Sequence, residues 1–427
     1  MTPAARLAAA IEVLDRIAAE AAPADGVLKA WGRDHRFAGS GDRRAIAERV
    51  YQSLRGQARA RAWLGEDGRA LALNSLASEG AEIDALFTGD GHGPAPLTAD
   101  ERARLAVQPA WPDYALAGVQ PFVAEALKAR FGADWIAEGE ALTQPRAPLD
   151  LRVNPLRGGM EAALRLLAQD EHKPEPTPWS AWGLRLPPSQ SRDIQQSRAW
   201  KTGWVEVQDE ASQIAAALAG AEPGMTVVDY CAGGGGKTLA LAAMMKGRGR
   251  LIACDVHGKR LAHLPERLER AGAKAEVRKA GYHGEGTEDL EGQADLVFVD
   301  APCSGSGTWR RHPEGAWRLT PETVDRLSAL QAEILARACR LVKPGGRLLY
   351  ATCSVLAQEN DAVASAFAGS HPDFRPLPIT RAAQTPALTD AGRQRLAELS
   401  GPGHTLQLTP RRAGTDGFFL ALYERLP

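Results

Sequence analysis

Two cysteines and an aspartate stand where covalent chemistry is possible. Asp300 and Cys303 follow an apolar run, Leu296-Val297-Phe298-Val299, in ADLVFVDAPCSGSGTWRRH, and Cys353 closes a second run, GRLLYATC. An ionised thiol is a strong nucleophile, and a carboxyl beside it can donate or share a proton as charge builds on a substrate. This set suits alkylation of carbon 5 of a pyrimidine, a poor nucleophile until a thiolate adds to carbon 6 and makes carbon 5 enamine-like. The carbon 5 proton must then leave so that the thiol can be eliminated. Asp300, Cys303 and Cys353 supply groups for each step, and the residues alone leave open which thiol attacks. Cys254 and Cys339, inside an expected strand and helix, read as small core residues.

The elements that position these groups follow from the pattern. An apolar run like 296–299 suits a strand buried on both faces, and Pro302 cannot continue a ladder. Asp300 and Cys303 are therefore expected at the carboxyl end of a central strand, the edge where open α/β sheets hold ligands. From residue 224 onward the chain alternates strand, glycine turn and helix. Strands are expected at 226–229, 250–255, 276–279, 296–300 and 346–352, helices at 237–245, 258–270, 321–341 and 358–367, and a terminal hairpin from 405–409 and 418–423. Such alternation implies a mostly parallel, doubly wound sheet. The turn DYCAGGGGKT, residues 229–238, invites a phosphate-loop reading, but Cys231 occupies the place of that motif's first glycine. The other reading is the first turn of a class I methyltransferase sheet. There glycines let the backbone approach S-adenosylmethionine, and an acid ending the second strand, here Asp255, meets the ribose hydroxyls.

Composition sets the remaining bounds. The 427 residues carry a formal net charge of -1, so no global basic field points to nucleic acid, and any such surface is a local patch. Five cysteines without a C-x-x-C pair argue against zinc and against a secreted disulfide framework, so no metal is expected. The N-terminus looks like an amphipathic helix rather than a signal peptide, and no apolar run approaches the roughly 20 residues of a membrane span; a cytoplasmic location is expected. Residues 1–107 read as an all-helical domain, with a linker-like TGDGHGPAP inside it. Its second strong helix carries Arg43, Arg44, Arg49, Arg55, Arg59 and Arg61, either a solvated, salt-bridged face or an RNA-facing patch. Residues 108–203 read as a mixed connecting subdomain, with a helix at 119–131, a strand at 149–153 and a mostly loop stretch at 173–189. Residues 204–427 hold the methyltransferase domain.

These motifs carry a family resemblance. VQDEASQ (207–213), DYCAGGGGKT (229–238), DAPCSGSGTWRRHPE (300–314), YATCSVLAQEN (350–360) and TDGFFLA (415–421) resemble the RsmB (Sun) group of RNA (cytosine-5)-methyltransferases. The N-terminal region more weakly resembles the NusB-like RNA-binding domain of that group. The resemblance implies methyl transfer from S-adenosyl-L-methionine to carbon 5 of a cytosine in RNA, most readily small-subunit (16S) ribosomal RNA. It implies Cys353 as the nucleophile, Cys303 as the group that helps release product, and Asp300 as a contact to the cytosine. Residues Cys231, Ala232, Gly233, Gly234, Gly235, Gly236 and Lys237 are then expected to hold the methyl donor together with Asp255 and Asp300. Two features depart from the group. Gly233-Gly234 stands where C-A-A-P-G-G-K has Ala-Pro, and Arg278-Lys279-Ala280-Gly281 lacks the aspartate often found after the third strand. The same chemistry on tRNA, or a non-catalytic RNA-binding ribosome-assembly factor, are the alternatives. Arg310, Arg311 and His312 are expected either to meet phosphates or to pair with local acids. Oligomeric state is not legible.

Overall fold

The computed structural model describes residues 1–427 except 21, 108 and 188–192. The strands, in chain order, are β1 (Leu149–Val153), β2 (Glu175–Pro176), β3 (Gly183–Leu186), β4 (Val205–Val207), β5 (Thr226–Asp229), β6 (Arg250–Asp255), β7 (Glu276–Lys279), β8 (Ala294–Asp300), β9 (Val342–Thr352), β10 (Phe374–Pro376), β11 (Thr405–Leu408) and β12 (Phe418–Arg425). The chain divides into two compact units, one of Met1–Pro145 with Thr308–Thr320 and one of Arg146–Gly307 with Pro321–Pro427. This division is coarser than the three parts expected from the sequence and draws its first line at 145/146.

In the larger unit the main sheet runs β10-β12-β9-β8-β5-β6-β7, with β11 on β12. β5 pairs in parallel with both β6 and β8, and β8 in parallel with β9, while β12 lies antiparallel to β9. The order reverses between β5 and β8, so the crevice at their carboxyl ends is the topological switch point. Alternate side chains supply two layers. Val227, Leu296, Phe298 and Leu349 enter one core, and Val228, Val297, Val299, Leu348 and Tyr350 the other. Both faces are covered, which is why β8 is continuously apolar. β1 to β4 form a separate four-stranded antiparallel sheet, order β2-β3-β1-β4. It takes in part of the stretch expected as loop at 173–189, whose residues 188 and 189 lie outside the described residues.

Three expected elements differ, each for a local reason. The helix expected at 258–270 is two, Gly258–Leu261 and Leu264–Ala271, because Pro265 cannot donate to a preceding turn. β9 begins at Val342 rather than 346, since Val342 pairs with Ala294 across a register shift that takes up Pro344 and Gly345. The helix expected at 358–367 starts only at Asp361, because Glu359 and Asn360 turn their side chains into buried hydrogen bonds.

The smaller unit is helical, with helices Pro3–Glu20, Ala24–Asp34, Ser40–Arg55, Gln57–Trp63 and Gly68–Ser78 enclosing Leu14, Trp31, Ile46, Val50 and Leu73. Within the unit, Thr308–Thr320 is held by long-range hydrogen bonds. The Ala24 N–H donates to Glu314 (3.1 Å), Gln57 Nε2 to Pro313 O (2.6 Å), Gln120 Nε2 to Ala316 O (2.8 Å), and Arg318 Nη2 to Ile17 O and Ala22 O (2.7 and 2.6 Å). Much of the arginine face is spoken for locally. Arg49 pairs with Glu79 (2.6 Å) and Arg61 with Glu66 (2.5 Å), while Arg43 donates to Ala38 O and Arg59 lies over the Trp111 ring. Arg310 is buried in this unit at 6% exposure, and His312 is exposed. No helix among the described residues is long and apolar enough to cross a membrane.

Candidate active site

The parallel register of β8 and β9 sets Asp300 opposite Ala351, so the loops leaving both strands start side by side. Cys303 and Cys353 lie on those loops with their Sγ atoms 3.3 Å apart. Both are half-buried and unbridged. The Cys303 thiol is pushed well up by its hydrogen bond to Cys353, by burial, and by the charge of nearby Glu359. Asp300 Oδ2 accepts a hydrogen bond from Lys237 Nζ at 2.5 Å. Burial pulls the Lys237 ammonium down, but the charge of Asp300 and its hydrogen bond outweigh this and the net direction is up; the Cys353 charge adds to it. The same ammonium lies 5.1 Å from the centre of the Phe418 ring.

The Gly-rich turn occupies the carboxyl end of β5. Gly233 and Gly235 take left-handed backbone angles, φ +53° and +81°, which a side chain would disfavour. At Gly235 a Cβ would also stand 2.1 Å from Leu264 Cδ1, whereas at Gly233 nothing lies within 4 Å. Open space thus faces Gly233, as close approach by a ligand requires. Asp255, 5% exposed, accepts from the Gly233 N–H (2.9 Å) and the His257 N–H (2.7 Å). It therefore lines the turn from the end of β6. The Ala232 N–H donates to Cys254 O and the Gly235 N–H to Ala232 O, while Gly236 O accepts from Arg152. The Cys231 thiol is pushed well up by burial and by Asp255, Asp300 and Asp229. Asp229, wholly buried beneath the turn and bonded to the Thr238 hydroxyl (2.6 Å), is pushed up to about 7 by burial.

Two groups of expected residues thus form, one of Asp300, Cys303, Cys353 and Lys237, the other of residues 231–236 with Asp255; Lys237 at the start of the helix Gly236–Met244 joins them. After β7 the segment 279–285 folds on itself, its Gly281 N–H on Glu285 O and its His283 N–H on the Glu285 carboxylate, with Tyr282 against His257. Sequence reasoning missed the polar frame behind the thiols, Ser304, Ser306, Gln331, Ser354 and Glu359. Its one sequence signal is a glutamate and an asparagine shortly after the TCS motif.

Comparison with known proteins agrees with this architecture. Residues 215–424 match the family described as 16S rRNA methyltransferase RsmB/F, and residues 122–192 match a ferredoxin-like domain of RsmF/B-like methyltransferases. The ribosomal RNA small subunit methyltransferase B of Erwinia tasmaniensis is 33% identical over 297 residues, 70% of this chain and 64% of that protein. The probable ribosomal RNA small subunit methyltransferase B of Bacillus subtilis is 36% identical over 52% of this chain and 48% of its own length. The chain thus spans just under two thirds of the first relative and about half of the second. Among solved structures, PH0851 superposes with a TM-score of 0.77 at 25% identity, covering 100% of this chain and 99% of that one. A methyltransferase homologue from Pyrococcus horikoshii gives 0.60 at 26% identity, covering 74% and 98%. The larger unit has the class I methyltransferase fold, and the chain carries the methyltransferase and ferredoxin-like domains of the RsmB/F family.

Proposed function

We propose that this protein methylates carbon 5 of a cytosine in RNA, with small-subunit ribosomal RNA as substrate and a covalent adduct on Cys353 as intermediate. The observation that carries the reading is the thiol pair, 3.3 Å apart at the ends of two adjacent parallel strands and beside the Lys237–Asp300 pair. The relatives' names supply the substrate class.

S-adenosylmethionine, when bound, supplies an electrophilic methyl group and leaves as a neutral sulfide. Residues 231–236 and Asp255 would hold it, the acid on its ribose hydroxyls and the open face of Gly233 against it. Asp255 spends part of its capacity on the Gly233 and His257 N–H groups, and a carboxylate has about four acceptor sites, so room remains for the hydroxyls.

Attack requires the thiolate of Cys353; a proton retained on Cys303 makes it the donor across the 3.3 Å contact, and the charge of the Lys237 ammonium reaches the attacking sulfur. The Cys353 Sγ bonds to carbon 6 of cytosine, and the carbon 5–carbon 6 π pair moves toward ring nitrogen 3. The Lys237–Asp300 pair meets the charge and shares a proton there. Carbon 5 then takes the methyl group. The carbon 5 proton passes to solvent, its electron pair returns to the carbon 5–carbon 6 bond, and the sulfur departs from carbon 6 with the carbon–sulfur pair, restoring the Cys353 thiolate. Cys303, next to that sulfur, assists this release.

The test is methyl transfer from labelled donor to unmodified small-subunit ribosomal RNA, followed by mapping of the label. Label at carbon 5 of a single cytosine is expected. Label confined to tRNA, or on another base or atom, contradicts the reading.

A further inference from the structure

Among the described residues, Glu359 is the one carboxylate of the thiol region without an assigned role. It is wholly buried, at 0% exposure. Oε1 accepts the Ser304 N–H (2.7 Å) and Gln331 Nε2 (3.1 Å), and Oε2 accepts the hydroxyls of Ser304 (2.5 Å) and Ser354 (2.6 Å). Ser304 immediately follows Cys303, and Ser354 immediately follows Cys353. One carboxylate therefore bridges the residues next to the two thiols. The bridge is itself anchored. Gln331, on the helix Pro321–Ala338, also donates to Pro302 O (2.9 Å), and Tyr350 of β9 donates to Gln331 Oε1 (3.1 Å) and to the Glu359 carbonyl (2.5 Å). Residues on both sides of Cys303 are thereby tied to the strand that delivers Cys353. A buried carboxylate is expensive unless all its acceptor sites are used, and this one is met by four donors.

We propose that Glu359 is a positioning residue that fixes the separation of the Cys303 and Cys353 thiols by bridging the loops that follow them. The proposal rests on the covalent-cysteine reading for its effect on catalysis, but not for its effect on the thiols. Two substitutions separate the bridge from mere occupancy of the site. In Glu359→Gln the amide oxygen still accepts from the Ser304 N–H and Gln331. Its NH2 donates to the Ser304 and Ser354 hydroxyls, which can reverse, so all four ties survive. Glu359→Ala removes every tie.

The experiment measures two quantities on the full chain. The first is the rate at which diamide, a thiol oxidant that is itself reduced to a hydrazine, joins Cys303 to Cys353, read by mass spectrometry of the linked peptides. The second is kcat for methylation of small-subunit ribosomal RNA, with the dissociation constant for S-adenosylmethionine as the check on folding. Glu359→Ala is expected to lower kcat about 100-fold, the scale of an ångström misplacement, and to slow thiol pairing roughly tenfold. Glu359→Gln is expected to keep most of both. Should Glu359→Ala fail to bind the donor, the double variant Ser304→Ala, Ser354→Ala removes the hydroxyl ties alone and is expected to slow both rates. Pairing and kcat that stay at wild-type values in a folded Glu359→Ala or double variant overturn the proposal. So does a Glu359→Gln enzyme that pairs its thiols normally yet loses as much kcat as Glu359→Ala, since charge rather than bridging would then be the cause. Retained activity in Cys353→Ala sinks the covalent reading and leaves the pairing result standing.

Discussion

At the scale of single residues, the site works through side chains with two obligations. Asp255 braces the Gly-rich turn through the Gly233 and His257 N–H groups and, in the proposed function, also receives the ribose of the methyl donor. Its loss therefore removes a charged acceptor and loosens the turn together. Charge-assisted hydrogen bonds contribute about 1.5–3 kcal/mol each. Asp255→Ala is accordingly expected to weaken donor binding by roughly 10- to 100-fold. Calorimetric titration with S-adenosylmethionine checks this, and an unchanged affinity would remove Asp255 from the donor site. The placement of Asp255, Asp300, Cys303 and Cys353 at one sheet edge was legible because each ends an apolar run or lies just beyond one. The position of Glu359 between the two thiol loops was not legible. Its partners lie at 304, 331 and 354, and a glutamate before an asparagine looks like any helix start.

At the scale of elements, the two thiol loops meet the C-terminal strand in a tight crossing. The Gly307 N–H donates to Cys353 O (2.9 Å), and Gly307 O accepts from the Gly417 N–H (2.8 Å) just before β12. A Cβ on Gly307 would stand 1.9 Å from Gly417 O, a backbone atom with nowhere to go. Gly307→Ala is therefore expected to cost about 1–3 kcal/mol of stability and to disturb the Cys303 loop. Gly369→Ala is the matched control, since no atom lies within 4 Å of its added Cβ. Denaturant unfolding of the pair checks the difference, and equal midpoints would mean that the crossing is not close. Strand and helix types were largely readable from periodicity. The departures have physical causes: Pro265 breaking a helix, Pro344-Gly345 absorbed in a bulge, and Glu359-Asn360 drawn away from a helix start by buried hydrogen bonds. The last lies where local preference yields to a site.

At the scale of the whole molecule, the chain leaves the larger unit after Gly307, passes through the helical unit as Thr308–Thr320, and returns at Pro321. This path was not legible in advance, because WRRHPEGAWR finds its partners some 190 to 300 positions away, at Ile17, Ala22, Ala24, Gln57 and Gln120. The helical unit is thus completed by thirteen residues that immediately follow the Cys303 loop. Arg318→Ala deletes both part-buried bonds to the carbonyls of Ile17 and Ala22, at about 1 kcal/mol each. Limited proteolysis is expected to cut Thr308–Thr320 faster in this variant than in the wild type. Equal cutting rates would show that the segment is held by other means.

The central claim is the division of labour between two thiols 3.3 Å apart, and a trapping experiment tests it most directly. The Cys303→Ala protein is purified from cells and examined on a denaturing gel for RNA that stays attached, and the double variant lacking Cys353 as well is examined beside it. If Cys353 attacks and Cys303 assists release, the single variant carries a covalent RNA adduct and the double variant carries none. An adduct that persists without Cys353, or no adduct from the single variant, contradicts the account.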